Sequence, residues 1–226
     1  MIRFQIDETP EFQRLRQNKK TAKMPVIEAL TKYRRQTVTA VGLKVAEVAW
    51  VGVLTVFAVT YLTQQLGMQR SVVLAAITLA GLIEVVVMPL AGWLSDLIGR
   101  RTIYLVGTAF GILFAFPIFW LFQTRDPTIV TCAIVGGICL CQGVVFALHA
   151  SFMPELFGTD ARYSGVSLGF QLGAALGGGL TPVIAAAVVA RTGATWPVSL
   201  ILVGLGILTA IAVISSRETA ARPMRS

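Results

Sequence analysis

The chain has 226 residues, of which 55% are hydrophobic and only 13% are charged, and its mean hydropathy is +0.75. A soluble domain carries about 25% charged residues, so this composition excludes an ordinary water-soluble domain. A helix needs about 20 mainly apolar residues to cross a bilayer, and stretches of this length recur along the chain. The alternating pattern of a membrane β-barrel is absent. The sequence therefore predicts an all-α integral membrane protein.

The net charge of +8 is concentrated ahead of the first apolar stretch. Nine of the nineteen Lys and Arg residues lie between Arg3 and Arg35. This placement favours attraction to lipid headgroups and gives no reason to expect a nucleic-acid partner. We expect a cytoplasmic basic linker over residues 1–36, without a cleavable signal peptide because its beginning is polar. A transmembrane domain over 37–216 and a cytoplasmic tail over 217–226 follow.

Six apolar stretches are predicted to be membrane spans. Pro117 predicts a kink in the third span, and Pro182 predicts an interruption of the fifth. The spans cover residues 38–62, 72–90, 102–122, 128–152, 164–190 and 196–215.

The distribution of Lys and Arg between the two sides predicts the orientation. An even number of spans places both termini and the connections after spans two and four on one side. That side holds fifteen basic residues, the nine above together with Arg100, Arg101, Arg162, Arg217, Arg222 and Arg225. The other side holds three: Arg70, Arg125 and Arg191. The excess predicts that both termini lie in the cytoplasm.

A polar island over residues 92–101 separates the second and third spans. Gly92 and Gly99 are expected to release the backbone for a turn. Asp96 is expected to cap a helix or to accept a salt bridge, while Arg100 and Arg101 hold the turn on the cytoplasmic side.

Three Lys or Glu residues fall inside predicted spans, where a charge at the midpoint costs about 2.5–3.5 kcal/mol even on a lenient scale. Lys44 and Glu47 are three residues apart and share a helical face, which allows a structural ion pair. The functional alternative makes Lys44 a docking cation for an anionic substrate, with Glu47 holding it or relaying a proton. Glu84 has no cation in its own span. It is either a proton-coupling group or a protonated side chain hydrogen-bonded across a helix interface.

Other polar residues in the spans give weaker signals. Gln142 and Gln171 either bind a substrate or join two helices. His149 lies near the end of the fourth span, and we expect an interfacial histidine that reaches water. No metal site is expected, and three cysteines are interpreted as small buried hydrophobes: Cys132, Cys139 and Cys141.

Four glycines recur every fourth residue in the fifth span: Gly165, Gly169, Gly173 and Gly177. This spacing predicts a strip of bare backbone against which a neighbouring helix packs closely. Such a glycine-rich, proline-containing helix also suits a transporter that bends during its cycle, and the same surface serves both purposes.

Three motifs resemble segments of the major facilitator superfamily, and in particular of its metabolite:proton symporter branch. Along the chain they occur in the same order as in the family. The first is the island over 92–101, which is similar to the family's signature loop between its eighth and ninth helices. The second, residues 7–12, resembles the segment after the sixth helix. The third, residues 154–173, resembles the connection between the tenth and eleventh helices in that branch, which takes up organic acids and zwitterions.

The resemblance implies that the six spans are equivalent to helices 7–12 of a twelve-helix fold in the plasma (inner) membrane. It implies a cytoplasmic gate loop that contains Gly92, Asp96, Gly99, Arg100 and Arg101. In this loop Asp96, Arg100 and Arg101 are expected to form the latch. The expected function is proton-coupled uptake of a small organic acid or zwitterionic metabolite, without cofactor or enzymatic activity. The missing half leaves three possibilities open: a separate N-terminal six-helix partner, a homodimer, or a truncated fragment. The alternative function is a non-transporting membrane fragment or helical partner subunit.

Overall fold

The computed structural model describes residues 31, 33–157 and 162–216. Within these residues it contains six apolar helices that are long enough to cross a membrane, when one bent pair is counted as a single span. The all-α, six-span prediction is confirmed. The tail, and all of the linker up to residue 30, lie outside the described residues. The helices are α1 (Arg34–Gln65), α2 (Arg70–Ile98), α3 (Arg100–Phe114 and Pro117–Gln123), α4 (Pro127–Glu155), α5 (Arg162–Thr192) and α6 (Trp196–Ser215).

Helix α1 lies at the centre of the bundle and packs against α4, α5 and α6. Helix α4 is the second most enclosed, with α2, α3 and α1 as its neighbours. Helix α2 is the least covered by the rest of the chain. Polar side chains carried on α1 and α4 are therefore those most shielded from the surroundings.

The apolar core is divided into two clusters. The larger contains Trp50 and Phe119, and the smaller contains Leu43, Tyr104 and Phe152. Because Leu43 and Trp50 lie two turns apart on α1, the residues between them mark a boundary between the clusters. The buried polar residues described below lie at this boundary.

The third span bends by 47° at the break before Pro117. This confirms the predicted kink, since proline lacks the N–H group that would continue the helical bonding. The bend is supported from α6, where the buried Ser199 hydroxyl donates to the Ala115 carbonyl at 2.6 Å. In an apolar bundle such a bond keeps a carbonyl near the break satisfied.

Helix α5, in contrast, continues through Pro182 to Thr192. The prediction of an interruption at this proline is wrong. A π-helical stretch, Ala175–Leu180, precedes it, and Pro182 falls in the first turn of the α-helical segment Thr181–Thr192. The wider π turn accommodates the missing N–H group without ending the helix.

The island between the second and third spans is mostly helical. Helix α2 runs to Ile98, so Gly92 is a helix residue and does not release the backbone as predicted. Ser95 is buried, and its hydroxyl donates to the Gly92 carbonyl at 2.7 Å, so this polar group has a partner within the helix. The turn is made at Gly99 alone, whose φ is 115°.

Replacing Gly99 with alanine is expected to destabilise the fold by about 1–3 kcal/mol, because a side chain is strained at this φ. Gly92→Ala is the matched control, since a Cβ there meets no atom within 4 Å. In a helix that change is expected to stabilise by about 0.5–1 kcal/mol. Unfolding of both variants in mixed micelles measures the difference, and equal effects would contradict the assignment of the turn to Gly99.

Candidate functional site

The glycine stripe of α5 lies directly against α1. A Cβ on Gly169 would come within 2.4 Å of the Ala40 Cβ, and one on Gly177 within 2.2 Å of the Val45 carbonyl oxygen. A Cβ on Gly173 would lie 2.5 Å from the Cβ of Lys44. Gly165 differs, because it faces the ring of Phe157 after the end of α4. The stripe thus brings the backbone of α5 against the part of α1 that carries Lys44.

Lys44 and Glu47 form a buried ion pair on α1. The Lys44 Nζ donates to Oε2 of Glu47 at 2.5 Å, and the two side chains are 3% and 2% exposed. The predicted sharing of one helical face is therefore present. A buried pair of this kind is costly to desolvate and adds little net stability compared with apolar residues, so its presence is weak evidence for a purely structural role.

Gln142 reaches the same carboxylate from α4. It lies in the π-helical stretch Gly137–Gly143, and its Nε2 donates to Oε1 of Glu47 at 3.3 Å. π-helical turns often mark functional positions in helices. Each oxygen of Glu47 therefore faces a different donor, one from its own helix and one from α4.

His149 lies beside Lys44, Glu47 and Gln142, and these four residues are here called the charged cluster. The prediction that His149 is an interfacial residue is wrong. Its side chain is 4% exposed, and its Nδ1 lies 3.9 Å from Oε2 of Glu47. Its Nε2 lies 2.8 Å from the Tyr104 hydroxyl, which donates to the Leu43 carbonyl at 2.6 Å. The sequence signal was weak because the partner tyrosine comes from α3, 45 residues away.

Two aromatic rings cover the Lys44 ammonium group. Its Nζ lies 3.9 Å from the ring centre of Phe170 on α5 and 4.8 Å from that of Phe146 on α4. Such cation–π contacts stabilise a desolvated ammonium group by up to about 2 kcal/mol. Phe170 also lines an open groove, and Lys44 is not one of the residues that line it.

This groove, here called the α5 groove, has a volume of about 610 Å³. That size suits a small metabolite. Gln171 lines it and is exposed, so the structure separates this glutamine from Gln142, which is buried beside Glu47. The lining residues are Pro154, Arg162, Tyr163, Val166, Ser167, Phe170 and Gln171.

Glu84 approaches the cluster from α2. Its side chain lies against Gly143, because a Cβ built on that glycine would be 2.9 Å from Oε1 of Glu84. This oxygen is buried, and no hydrogen-bond partner for it is found among the described residues. Glu84 is thus adjacent to the π-helical stretch that carries Gln142, rather than isolated on its own span.

The residues expected to form the gate lie near the end of α2 and at the start of α3, next to the end of α4. Arg100 forms a partly buried ion pair with Glu155 at the end of α4, and it also contacts Asp96 at 3.4 Å. Asp96 accepts this salt bridge and is largely exposed, and it caps no helix in the described part of the chain. Glu155 is a residue that the sequence did not single out. Arg101 follows Arg100 at the start of α3.

The three cysteines do not share one environment. Cys139 and Cys141 are buried as expected, whereas Cys132 is exposed, so the prediction is wrong for that residue. Among residues 31, 33–157 and 162–216, no group of three His, Cys, Asp or Glu side chains is placed to hold a metal ion.

A six-span helical bundle with a buried polar cluster defines a multi-pass membrane protein. The sequence profile of the Major Facilitator Superfamily matches residues 40–224, so the chain belongs to this superfamily. The resemblance found in its motifs is confirmed.

Curated relatives with transporter names are similar to most of the chain. The shikimate transporter of Escherichia coli (strain K12) is 31% identical over 197 residues, which are 86% of this chain and 45% of that protein. The inner membrane metabolite transport protein YhjE of the same strain is 32% identical over 223 residues, 96% of this chain and 50% of the relative. The proline/betaine transporter of that strain is 28% identical over 238 residues, an alignment that covers 99% of this chain and 46% of that protein.

The chain spans about half the length of the curated relatives it matches. The relatives are named as transporters, and no enzyme activity is evident from these comparisons. No solved structure shows a significant match to the chain.

Proposed function

We propose that the chain is one six-helix half of a transporter that takes up a small organic acid or zwitterionic metabolite together with protons. In this proposal both termini lie in the cytoplasm of the inner membrane, as the fifteen-to-three distribution of basic residues favours. The second half is either a separate N-terminal six-helix chain or another copy of this one. The proton gradient supplies the driving force, and no cofactor takes part.

One observation carries the proposal: the charged cluster around Glu47 lies at the centre of the bundle, and one of the two aromatic residues that cover Lys44 also lines an open groove. Intramembrane ionisable residues that face the bundle interior commonly mark substrate and ion pathways. Here the buried ammonium group of Lys44 lies 3.9 Å from the centre of the Phe170 ring, and that ring borders the α5 groove. Rotation of the ring would open Lys44 to an anion in the groove.

The polar lining of the groove supports the same proposal. Gln171 and Ser167 are exposed one turn apart within a span, and lipid tails offer such groups no hydrogen-bond partners. We infer that this face of α5 borders a cavity or the second half of the transporter instead of lipid. Gln171 would then hydrogen-bond a bound metabolite, and Lys44 would hold its carboxylate.

Glu84 and Gln142 would complete the site on the side of α2 and α4. Gln142 holds Oε1 of Glu47 in place, and the buried Oε1 of Glu84 offers a second position for a proton. The same chemistry fits the names of the relatives, because shikimate carries one carboxylate and proline is a zwitterion.

Uptake of radiolabelled shikimate and proline by membrane vesicles tests the proposal. The chain would be expressed alone and together with the part of the E. coli shikimate transporter that it does not match. We expect accumulation of one compound under an inward proton gradient in at least one arrangement. Gln171→Ala is expected to weaken uptake about two- to tenfold through the lost hydrogen bond. Gln65→Ala, an exposed glutamine at the end of α1, is the control. Absence of uptake of either compound by correctly folded protein would favour a non-transporting membrane protein.

A further inference from the structure

Two nitrogen atoms in the cluster face one carboxylate oxygen. The Oε2 atom of Glu47 lies 2.5 Å from the Lys44 Nζ and 3.9 Å from the His149 Nδ1. The other oxygen, Oε1, already accepts from Gln142. All three ionisable side chains are at most 4% exposed, so water does not screen them from one another. A change of charge on His149 is therefore felt both at Oε2 of Glu47 and at the Lys44 ammonium group bonded to it.

The hydroxyl of Tyr104 determines which ring nitrogen of His149 carries the proton. A tyrosine has a single proton to donate, and that of Tyr104 points to the Leu43 carbonyl at 2.6 Å. Its oxygen is then the acceptor for the Nε2–H of His149 at 2.8 Å. In the neutral ring the lone pair consequently lies on Nδ1, which has no hydrogen-bond partner among the described residues. The next proton on His149 must bind at Nδ1, on the side of Glu47.

We propose that His149 carries the transported proton and that, when protonated, it replaces Lys44 as the counter-ion of Glu47. This inference rests on the proposed function and names the group that couples the proton to the anion. A proton from hydronium forms an N–H bond at Nδ1, using the nitrogen lone pair. The resulting imidazolium pairs with Glu47, and the ammonium group of Lys44 is released towards the α5 groove, where it binds a carboxylate.

The net charge of the cluster is zero both before and after proton and substrate bind, as a buried site requires. Without proton and substrate, the cluster contains the Lys44 cation, the Glu47 anion and a neutral His149, which sum to zero. With both bound it contains two cations and two anions, which again sum to zero. A buried uncompensated charge is strongly unfavourable, so the proton and the anion enter most favourably together. The expected ratio is one proton for each carboxylate.

Other ionisable groups around His149 are few. Helix α1 contributes Lys44 and Glu47, and α3 contributes Tyr104. Glu84 of α2 faces Gly143, about one and a half turns away along α4. In α5 the ionisable residues are confined to the helix ends, at Arg162, Tyr163 and Arg191, and α6 contains none. The exchange therefore involves one carboxylate at contact distance, that of Glu47.

His149 is the only histidine of the chain, which permits a direct test. The protein, purified without a histidine tag and placed in lipid nanodiscs, would be labelled with ¹⁵N-histidine and studied by NMR. The neutral ring is expected to carry its proton on Nε2, and Tyr104→Phe is expected to raise the share of the other tautomer. A neutral wild-type ring protonated on Nδ1 would overturn the proposal.

Variants of the ion pair test the exchange itself. Lys44→Met removes the competing cation, and the imidazolium fraction at pH 7 is expected to rise roughly tenfold or more. Glu47→Gln removes the counter-ion, and the imidazolium fraction at pH 5 is expected to fall below that of the wild type. Unchanged titration in folded Lys44→Met refutes the exchange. If Lys44→Met does not fold, the Glu47→Gln variant provides the test. Unchanged titration of His149 in that variant would also refute the exchange. Uptake by the wild type, combined with unchanged His149 titration in the variants, would refute the exchange without contradicting the proposed function.

Discussion

Replacing Lys44 with methionine is expected to lower the free energy of unfolding by about 3–5 kcal/mol at pH 8, because it leaves Glu47 as a buried, uncompensated anion. The Glu47 side chain is 2% exposed, and its remaining hydrogen bond comes from Gln142 at 3.3 Å. At pH 8 an ordinary histidine is neutral, so His149 does not replace the lost cation. Unfolding by a denaturing detergent in mixed micelles, followed by circular dichroism, measures the change.

Two further variants distinguish the loss of a charge partner from a general loss of packing. Lys44→Met combined with Glu47→Leu is expected to recover most of the stability, because neither charge remains buried. Arg70→Met, at the exposed start of α2, is expected to change stability by less than about 0.5 kcal/mol. A double variant as unstable as Lys44→Met alone would show that Glu47 does not depend on Lys44 for its charge.

Replacing Gly177 with alanine is expected to destabilise the bundle by about 3 kcal/mol. The added Cβ would lie 2.2 Å from the Val45 carbonyl oxygen, and a main-chain atom within a helix cannot move aside as a flexible side chain does. Helices α1 and α5 would have to separate along the stripe. Since Gly173 lies against Lys44 in the same stripe, the separation would also displace the charged cluster.

Gly179→Ala, in the same π-helical stretch, is the matched control. A Cβ on Gly179 meets no atom within 4 Å, so this change is expected to be neutral or to stabilise by about 0.5–1 kcal/mol. Unfolding in mixed micelles gives both values. Similar losses for the two variants would mean that glycine is needed for the π-helical backbone and not for the contact with α1.

Much of the fold follows from the sequence because a membrane span is encoded locally. The six spans required only runs of apolar residues, and the kink at Pro117 follows from the missing amide of proline. The helix ends were less predictable. The polar residues between Gly92 and Ile98 suggested a turn. The helix instead continues to Ile98, with the Ser95 hydroxyl bonded to the Gly92 carbonyl, and the chain reverses at Gly99.

The candidate site was less predictable because it depends on which helices face each other. The spacing of Lys44 and Glu47 was enough to place them on one helical face. No feature of the sequence near His149 indicated that it would contact them from α4. Its Nε2 lies 2.8 Å from the hydroxyl of Tyr104 on α3, and the two residues are 45 positions apart in sequence. Gln142 and Gln171 looked equivalent as polar residues in spans, yet one lies beside Glu47 and the other lines the groove.

Close packing and chemistry share the same residues in this half of the fold. The absence of side chains at Gly169 and Gly173 lets α5 approach α1, and this approach brings Phe170 over the Lys44 ammonium group. The glycine stripe and the charged cluster are therefore one structural unit. Movement of α5 along α1 would change the cover of Lys44, which is the property that an alternating-access site needs.

Proton movement during substrate entry tests the central claim, that the buried cluster couples an anion to a proton. Vesicles containing the active arrangement and an internal pH dye would receive radiolabelled shikimate without an imposed proton gradient. We expect the lumen to acidify by one proton for each shikimate that enters, and Lys44→Met to abolish both signals. Entry of shikimate without acidification, or equal signals from Lys44→Met, would contradict the account.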